Sequence, residues 1–387
     1  MTVISIAKQG RRGALRARMD LPAGARSVTY AAGGLTAFGL LMVLSASWVE
    51  SLDKGQSAFF FLTRQSLGAI IGIVAMFVFA LIPVQRLKNL AIPALVLAIL
   101  GLLLVLTPLG LDVNGSKRWI AIGGFTIQPS ELAKLAFILA GGAIVAKKGS
   151  RLITIGDAMR PMGLLLLVLA ALVMAEPDLG TATILGLLFM VMLFVAGTPA
   201  RTLTTFTLMG SSAFAFFAMS ADYRRARVFS FLDPFADPEN TGYQAVQGIV
   251  ALGSGGIFGN GIGMSRQKWL YVPNAHTDFI YAVIGEELGL IGTLGILGLF
   301  VWLTIAGLRI AGGTKDPFAR CLAAGITVWL TSQALINIGA VTSVLPITGV
   351  PLPFVSYGNS ALIVSLAAVG ILMSIARENA AKESRSA

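Results

Sequence analysis

His276 and Asp278 stand two residues apart in the segment Tyr271-Val-Pro-Asn-Ala-His-Thr-Asp-Phe-Ile-Tyr-Ala-Val-Ile-Gly-Glu-Glu-Leu-Gly289, where a polar loop runs into a long apolar helix. An ionisable group held at a membrane edge is costly enough to mark a functional site. The segment is therefore the candidate reaction centre, and acid–base chemistry is what it offers. Quieter readings stand beside this one: His276, the sole histidine, caps or packs, and Asp278 N-caps the following helix.

Other polar groups gather on the same side of the chain. Gln128-Pro-Ser-Glu-Leu-Ala-Lys134 puts Glu131 and Lys134 three apart, on one helical face. Either the two neutralise each other as a structural pair, or Lys134 binds an anion together with Arg118 of Asn114-Gly-Ser-Lys-Arg-Trp-Ile120. In Glu176-Pro-Asp-Leu-Gly-Thr181 two carboxylates face outside water or a cavity, although Pro-Asp and Gly are ordinary turn formers. The run from Arg224 to Gln247 mixes a basic cluster, prolines and aromatics, as an amphipathic segment on a membrane surface would. Its arginines suit the phosphates of a lipid-linked substrate or of ordinary headgroups.

The glycine-rich approach Gly253-Ser-Gly-Gly-Ile-Phe-Gly-Asn-Gly-Ile-Gly-Met-Ser-Arg-Gln-Lys-Trp269 suits tight turns or close approach to a ligand. It is neither a P-loop nor a dinucleotide fingerprint, lacking the Gly-Lys-Ser/Thr of one and the preceding strand of the other. Glu286 and Glu287 lie roughly 12 Å deeper than Asp278 at 1.5 Å per residue. They must be paired, protonated or wet, and they could mark a proton or ion path. The last outer stretch, Val344 to Ser360, carries three prolines and reads as a rigid wall around Ser356-Tyr-Gly.

The elements that position these groups are helices in a membrane. Hydrophobic residues make up 56% of the 387, charged residues 12%, and mean hydropathy is +0.82. Apolar runs bounded by Pro, Gly and charge predict ten spans, near 28–48, 63–82, 89–107, 130–146, 162–176, 180–197, 202–219, 279–308, 320–342 and 359–376. The expected fold is all-α and polytopic, a single membrane domain over 28–376 with tails at 1–27 and 377–387. The first run is too long for a signal-peptide core and is expected to be a retained span. With one cysteine, Cys321, no intramolecular disulfide forms.

Ten spans put both termini on one side. Most of the 29 basic residues then fall in the segments sharing the N-terminal side, which makes that side cytoplasmic. The net charge of +11 thus reflects topology, and no nucleic-acid partner is expected. The outer loops are 108–129, 220–278 and 343–358, the largest of them preceding the eighth helix. Long loops in a compact protein are usually functional, so the chemistry faces outward.

Taken together, Gln-Pro-Ser-Glu-Leu-Ala-Lys, Glu-Pro-Asp-Leu-Gly-Thr, Ala-His-Thr-Asp-Phe-Ile with Gly-Glu-Glu-Leu-Gly, and Pro-Leu-Pro-Phe-Val-Ser-Tyr-Gly resemble the SEDS family of shape, elongation, division and sporulation proteins. The resemblance covers roughly residues 30–376. Phe231-Leu-Asp-Pro-Phe-Ala-Asp-Pro, Ser265-Arg-Gln-Lys and Pro273-Asn-Ala-His-Thr-Asp are more similar to its division branch than to its elongation branch.

The resemblance implies a peptidoglycan glycosyltransferase that polymerises lipid II on the outer face of the bacterial cytoplasmic membrane, at the division septum. It implies a class B penicillin-binding protein transpeptidase and other divisome proteins as partners. Sugar transfer from an undecaprenyl pyrophosphate donor needs a base for the acceptor hydroxyl and positive charge for the departing pyrophosphate. By resemblance Asp278 is the base, and Arg64, Arg118, Glu131, Lys134, Asp178, His276 and Ser356 are substrate-binding candidates. Glu131, Asp178 and Asp278 are also candidates for a divalent cation, Mg or Mn. The family's usual Ser-Tyr-Gly-Gly-Ser here reads Ser356-Tyr-Gly-Asn-Ser360, and Asn359 is expected to keep the turn by tolerating left-handed backbone. The rival readings are an elongation polymerase, a lipid II flippase with Glu286 and Glu287 on its path, and a non-catalytic scaffold.

Overall fold

The computed structural model describes residues 21–386, apart from 114, 115, 124, 150, 151, 153, 270 and 274. The basic residues expected at positions 8–18 and 151, and Asn114, Gly115 and Asn274 of the quoted motifs, lie outside the described residues. In chain order the structure runs α1 (Ala23–Asp53), α2 (Phe60–Leu81), α3 (Val84–Asn89) and α4 (Ala91–Val105). A small antiparallel sheet follows, with β1 (Gly110–Val113), β2 (Ser116–Ile122) and β3 (Phe125–Ile127) in that order. Then come α5 (Pro129–Lys148), α6 (Ile155–Ala175), α7 (Leu179–Val195), α8 (Ala200–Met219), α9 (Asp222–Leu232), α10 (Tyr243–Gly255), α11 (Ile280–Gly312), α12 (Pro317–Val341) and α13 (Asn359–Ser386).

Eight of these helices are long and apolar enough to cross a membrane, and α4 and α7 are shorter apolar helices. Together they match the ten expected runs. Their outward faces are apolar, with Ile70, Val74, Phe77, Val78 and Leu81 of α2 and Ile92, Leu97 and Leu100 of α4 exposed. An apolar surface of this extent suits a lipid environment. Polar residues are instead turned inward, among them Gln65, Lys134, Gln333 and Asn337.

Small residues let the helices approach. Gly68 and Gly72, four apart on α2, face Asn359, Ile363 and Leu366 of α13, and a Cβ at Gly370 would lie 2.2 Å from the carbonyl oxygen of Met76. Without a hydrophobic drive between helices in lipid, such close backbone contact supplies the attraction.

Some expectations need correcting. The last helix continues to Ser386, so 377–386 are a helical extension of α13. Asp278 is not the helix cap, because α11 begins at Ile280 with Phe279 in the cap position. Asn359 opens α13 without positive φ, so left-handed tolerance plays no part. The eighth span is also not continuous: Gly289 (φ 64°, ψ −158°) breaks α11.

The glycine-rich segment repairs that break. Amides of Asn260 and Gly261 donate to the carbonyls of Glu286 and Glu287 at 3.0 and 2.9 Å, and Leu290 and Ile291 donate to Gly256 and Ile257 at 2.9 and 3.3 Å. Irregular backbone is tolerated in a membrane protein where the protein itself satisfies its polar groups. A Cβ at Gly259 would lie 2.2 Å from the carbonyl oxygen of Glu287, so the close approach those glycines permit is to this chain's own backbone.

Candidate active site

Loop 343–358 organises the site, bonding to residues 276–278 directly and to the Glu131–Lys134 pair through Gln333. Its anchor is α12. Asn337 donates through Nδ2 to the carbonyls of Asp278 (2.7 Å) and Val350 (2.8 Å). Ser356 Oγ donates to the carbonyl of Thr277 at 2.6 Å and accepts from the amide of Leu352 at 2.8 Å. The Tyr357 amide donates to the His276 carbonyl at 2.9 Å. Gln65 of α2 closes the frame, donating to the Ser356 carbonyl and accepting from the Gly358 amide, both at 3.1 Å. Residues 276–278 are thus held by α12 and by the loop that Gln65 braces, while the Asp278 side chain stays partly exposed. A Cβ on Gly349 would stand 3.4 Å from its Oδ2.

Lys134 is fully buried. Its Nζ donates to Glu131 Oε1 and Gln333 Oε1, each at 2.7 Å, and lies 5.1 Å from the Trp329 ring centroid. Gln333 also accepts from Trp329 Nε1 at 2.8 Å and donates to the Pro351 carbonyl at 3.0 Å. The Glu131–Lys134 pair is therefore tied to the same loop as Asp278. A buried charge pair holds only with such additional hydrogen bonds.

On the far side of the loop lies the turn after α6. Arg118 on β2 donates to the carbonyls of Glu176 (Nε, 3.1 Å) and Pro177 (Nη2, 2.6 Å). Asp178 caps α7, accepting from the amide of Thr181 at 3.0 Å and from its hydroxyl at 2.8 Å. Gly180 packs against Thr348 and Val350. The Glu176 carboxyl is 1% exposed, with no hydrogen-bond partner at either oxygen. Burial, reinforced by the neighbouring Asp178 and opposed by Arg118, pushes it up to about 8.

His276 is packed rather than open. Its ring lies 4.5 Å from Phe61 and 5.5 Å from Tyr357, and Nδ1 is 2.9 Å from Oε2 of Glu50 at the end of α1. Arg64 is partly buried, with its guanidinium carbon 4.4 Å from the Phe60 ring centroid. Burial raises the Tyr357 phenol and the adjacent Arg64 charge opposes that rise.

The structure brings Asp278, His276 and Ser356 together and links Glu131 and Lys134 to them through Gln333. The Ser356 hydroxyl and the Asp178 carboxylate have partners within the chain, so both also shape the site. The cation candidates do not fit a preassembled centre. One Glu131 oxygen is taken by Lys134 and both Asp178 oxygens by Thr181, and no group of three or more His, Cys, Asp or Glu side chains suited to a metal occurs among the described residues.

Sequence reasoning missed Gln65, Gln333 and Asn337. The signal was present: an amide inside an apolar span needs a partner, and Gln333 and Asn337 lie four apart on one face of α12. It also left Glu286 and Glu287 unexplained. Glu287 accepts from Ser45 Oγ (2.7 Å) and from Lys268 Nζ (3.0 Å), which also donates to the Gly263 carbonyl at 2.6 Å. Glu286 accepts from the Ser265 hydroxyl and from the amides of Arg266 (2.8 Å) and Gln267 (3.3 Å). Both acids clasp the 256–268 segment to the broken helix, so neither needs an ion path to account for it.

Comparison with known proteins agrees with this architecture. The family model for FtsW, RodA and SpoVE, described as "Cell cycle protein", matches residues 25–381. The probable peptidoglycan glycosyltransferase FtsW of Geobacter metallireducens is 44% identical over 88% of this chain and 91% of its own length. Stage V sporulation protein E of Bacillus subtilis is 41% identical over 89% and 94%. Among solved structures, a chain from a peptidoglycan synthase complex that coordinates polymerization and crosslinking superposes with a TM-score of 0.73 at 30% identity, covering 91% of this chain and 97% of that one. The Rod shape determining protein RodA of Thermus thermophilus gives 0.67 at 28%, covering 91% and 96%. With most of its length matched by model, relatives and structures, the chain belongs to the FtsW, RodA and SpoVE family of cell cycle proteins.

Proposed function

We propose that this chain is a peptidoglycan glycosyltransferase that polymerises lipid II on the outer face of the cytoplasmic membrane for septal wall synthesis, with Asp278 as its general base. The observation that carries this reading is the framing of Asp278: a partly exposed carboxylate at the outer end of an apolar helix, its main chain held by Asn337 and its neighbours by Ser356 and Tyr357. A base must be held close to the proton it takes, and that frame provides the rigidity.

In the reaction, Asp278 takes the proton of the acceptor 4-hydroxyl as its oxygen attacks the anomeric carbon of the donor. The bond from that carbon to the undecaprenyl pyrophosphate oxygen breaks, and pyrophosphate leaves as an anion. It needs no proton, only positive charge. Arg64 is partly exposed at the site's edge, and Arg118 has its Nη1 uncommitted to the 176–177 carbonyls. Lys134 is buried, so it acts through Gln333 on the loop unless the loop moves. A class B penicillin-binding protein transpeptidase is the proposed partner, supported by the likeness to a chain of a peptidoglycan synthase complex; other divisome proteins complete the assembly at the septum.

The test is to incubate the purified protein and its penicillin-binding partner with lipid II and resolve glycan chains on a gel. Wild type is expected to make polymer, while Asp278→Asn, folded and partner-bound, falls by at least about 100-fold. Polymer from Asp278→Asn at the wild-type rate would overturn the assignment.

A further inference from the structure

Glu176 is the buried acid that the reaction above does not use. Its neighbours are all satisfied: Arg118 holds the carbonyls of residues 176 and 177, and Asp178 is occupied by Thr181. The Glu176 carboxyl itself is 1% exposed and bonds to nothing at either oxygen. A second orphan lies across the contact, since Thr348 Oγ1 is also buried without a partner and Thr348 packs against Gly180 of the same turn. Folded proteins rarely leave buried polar atoms unpaired, and exceptions gather at functional sites.

Placement says which ligand. Thr348, Gly349 and Val350 are consecutive; Thr348 and Val350 touch the 176–181 turn, and Gly349 touches Asp278 Oδ2. The orphan pair and the carboxylate of Asp278 therefore flank one three-residue stretch. Two neighbouring acids repel phosphate, and a buried carboxyl, with an unpartnered hydroxyl on the loop that packs against Gly180, is suited to groups that both donate and accept. We propose that Glu176 and Thr348 bind an uncharged polar part of the substrate, a sugar hydroxyl or acetamido group, and so seat the sugar beside Asp278. This rests on the glycosyltransferase reading.

The test uses the full chain with its partner in nanodiscs, with two readouts: binding of fluorescent lipid II and initial polymerisation rate against lipid II concentration. Thermal unfolding is followed alongside. Glu176→Met is expected to weaken lipid II binding and raise KM by about tenfold, the loss of one or two hydrogen bonds, while kcat changes little. Its Tm stays level or rises, because an unpaired buried group has been removed. Glu176→Gln, which keeps a donor and an acceptor, stays within about threefold of wild type. Thr348→Val raises KM in the same direction.

Unchanged lipid II binding by Glu176→Met would overturn the proposal, as would a fall in Tm that accounts for the lost activity. If wild type binds lipid II without making polymer, the glycosyltransferase reading fails, while the binding ratio still decides the Glu176 contact. No lipid II binding by wild type overturns both.

Discussion

Asn337 bonds to the backbone of Asp278, not to its carboxylate: Nδ2 donates to the main-chain carbonyl at 2.7 Å and to that of Val350 at 2.8 Å. One buried amide on α12 thereby sets the distance between the proposed base and the loop facing it. The anchor acts on the main chain of Asp278, so its position is fixed from behind.

Asn337→Leu removes both bonds and leaves two carbonyls unsatisfied. Polymerisation is expected to drop by more than about tenfold, with stability falling by about 1–3 kcal/mol. Gel assay of glycan chains and thermal unfolding in detergent measure the two together. Wild-type activity in the variant would show that the loop does not depend on this anchor.

Lys268 and Glu287 form an ion pair with both side chains fully buried. Glu287→Gln or Lys268→Met alone strands a buried charge and is expected to cost about 3–5 kcal/mol, whereas the pair Lys268→Met with Glu287→Met recovers most of it. A double-mutant cycle by thermal unfolding checks this. Additive losses would mean that the two side chains are not coupled.

Stability should carry the signature of Glu176. Its folded-state value is raised from 4.5 to about 8, so the unfolded chain releases this proton first as pH rises. The contribution is fully present below pH about 4.5 and is lost as pH climbs through about 8. Wild type should therefore lose Tm between pH 5.5 and 8.5, and Glu176→Gln should lose less over the same interval. Parallel curves for the two proteins would show that Glu176 titrates normally.

Gly370→Ala tests the packing of α2 against α13. The added methyl meets the Met76 carbonyl at 2.2 Å, a main-chain atom that cannot swing aside. A destabilisation of about 1–3 kcal/mol is expected, read as a lower Tm. Gly33→Ala, where a methyl meets nothing within 4 Å, serves as the matched control and should be near neutral.

The sequence by itself determined the class and singled out where chemistry is proposed. Ten continuous apolar runs of about helix-spanning length point to helices, which satisfy their own backbone where no water does, and Asp278 is conspicuous because charge is rare in such a chain. The acid–base spacing of Glu131 and Lys134 is local, so their pairing was legible as one of two readings. Tertiary structure alone decided the rest. That Gln65, Gln333 and Asn337 converge on loop 343–358 depends on which helix faces meet, and each partner is many residues away in sequence. The glycine run looked like a cradle for a ligand because glycine permits any close approach; only the break at Gly289 shows that the approaching group is the chain's own helix. The partners of Ser356 and Asp178 within the chain likewise became visible only in the fold. A polar side chain announces that it needs a partner, and only the fold says whether that partner is already within the chain or, as at Glu176, still to come.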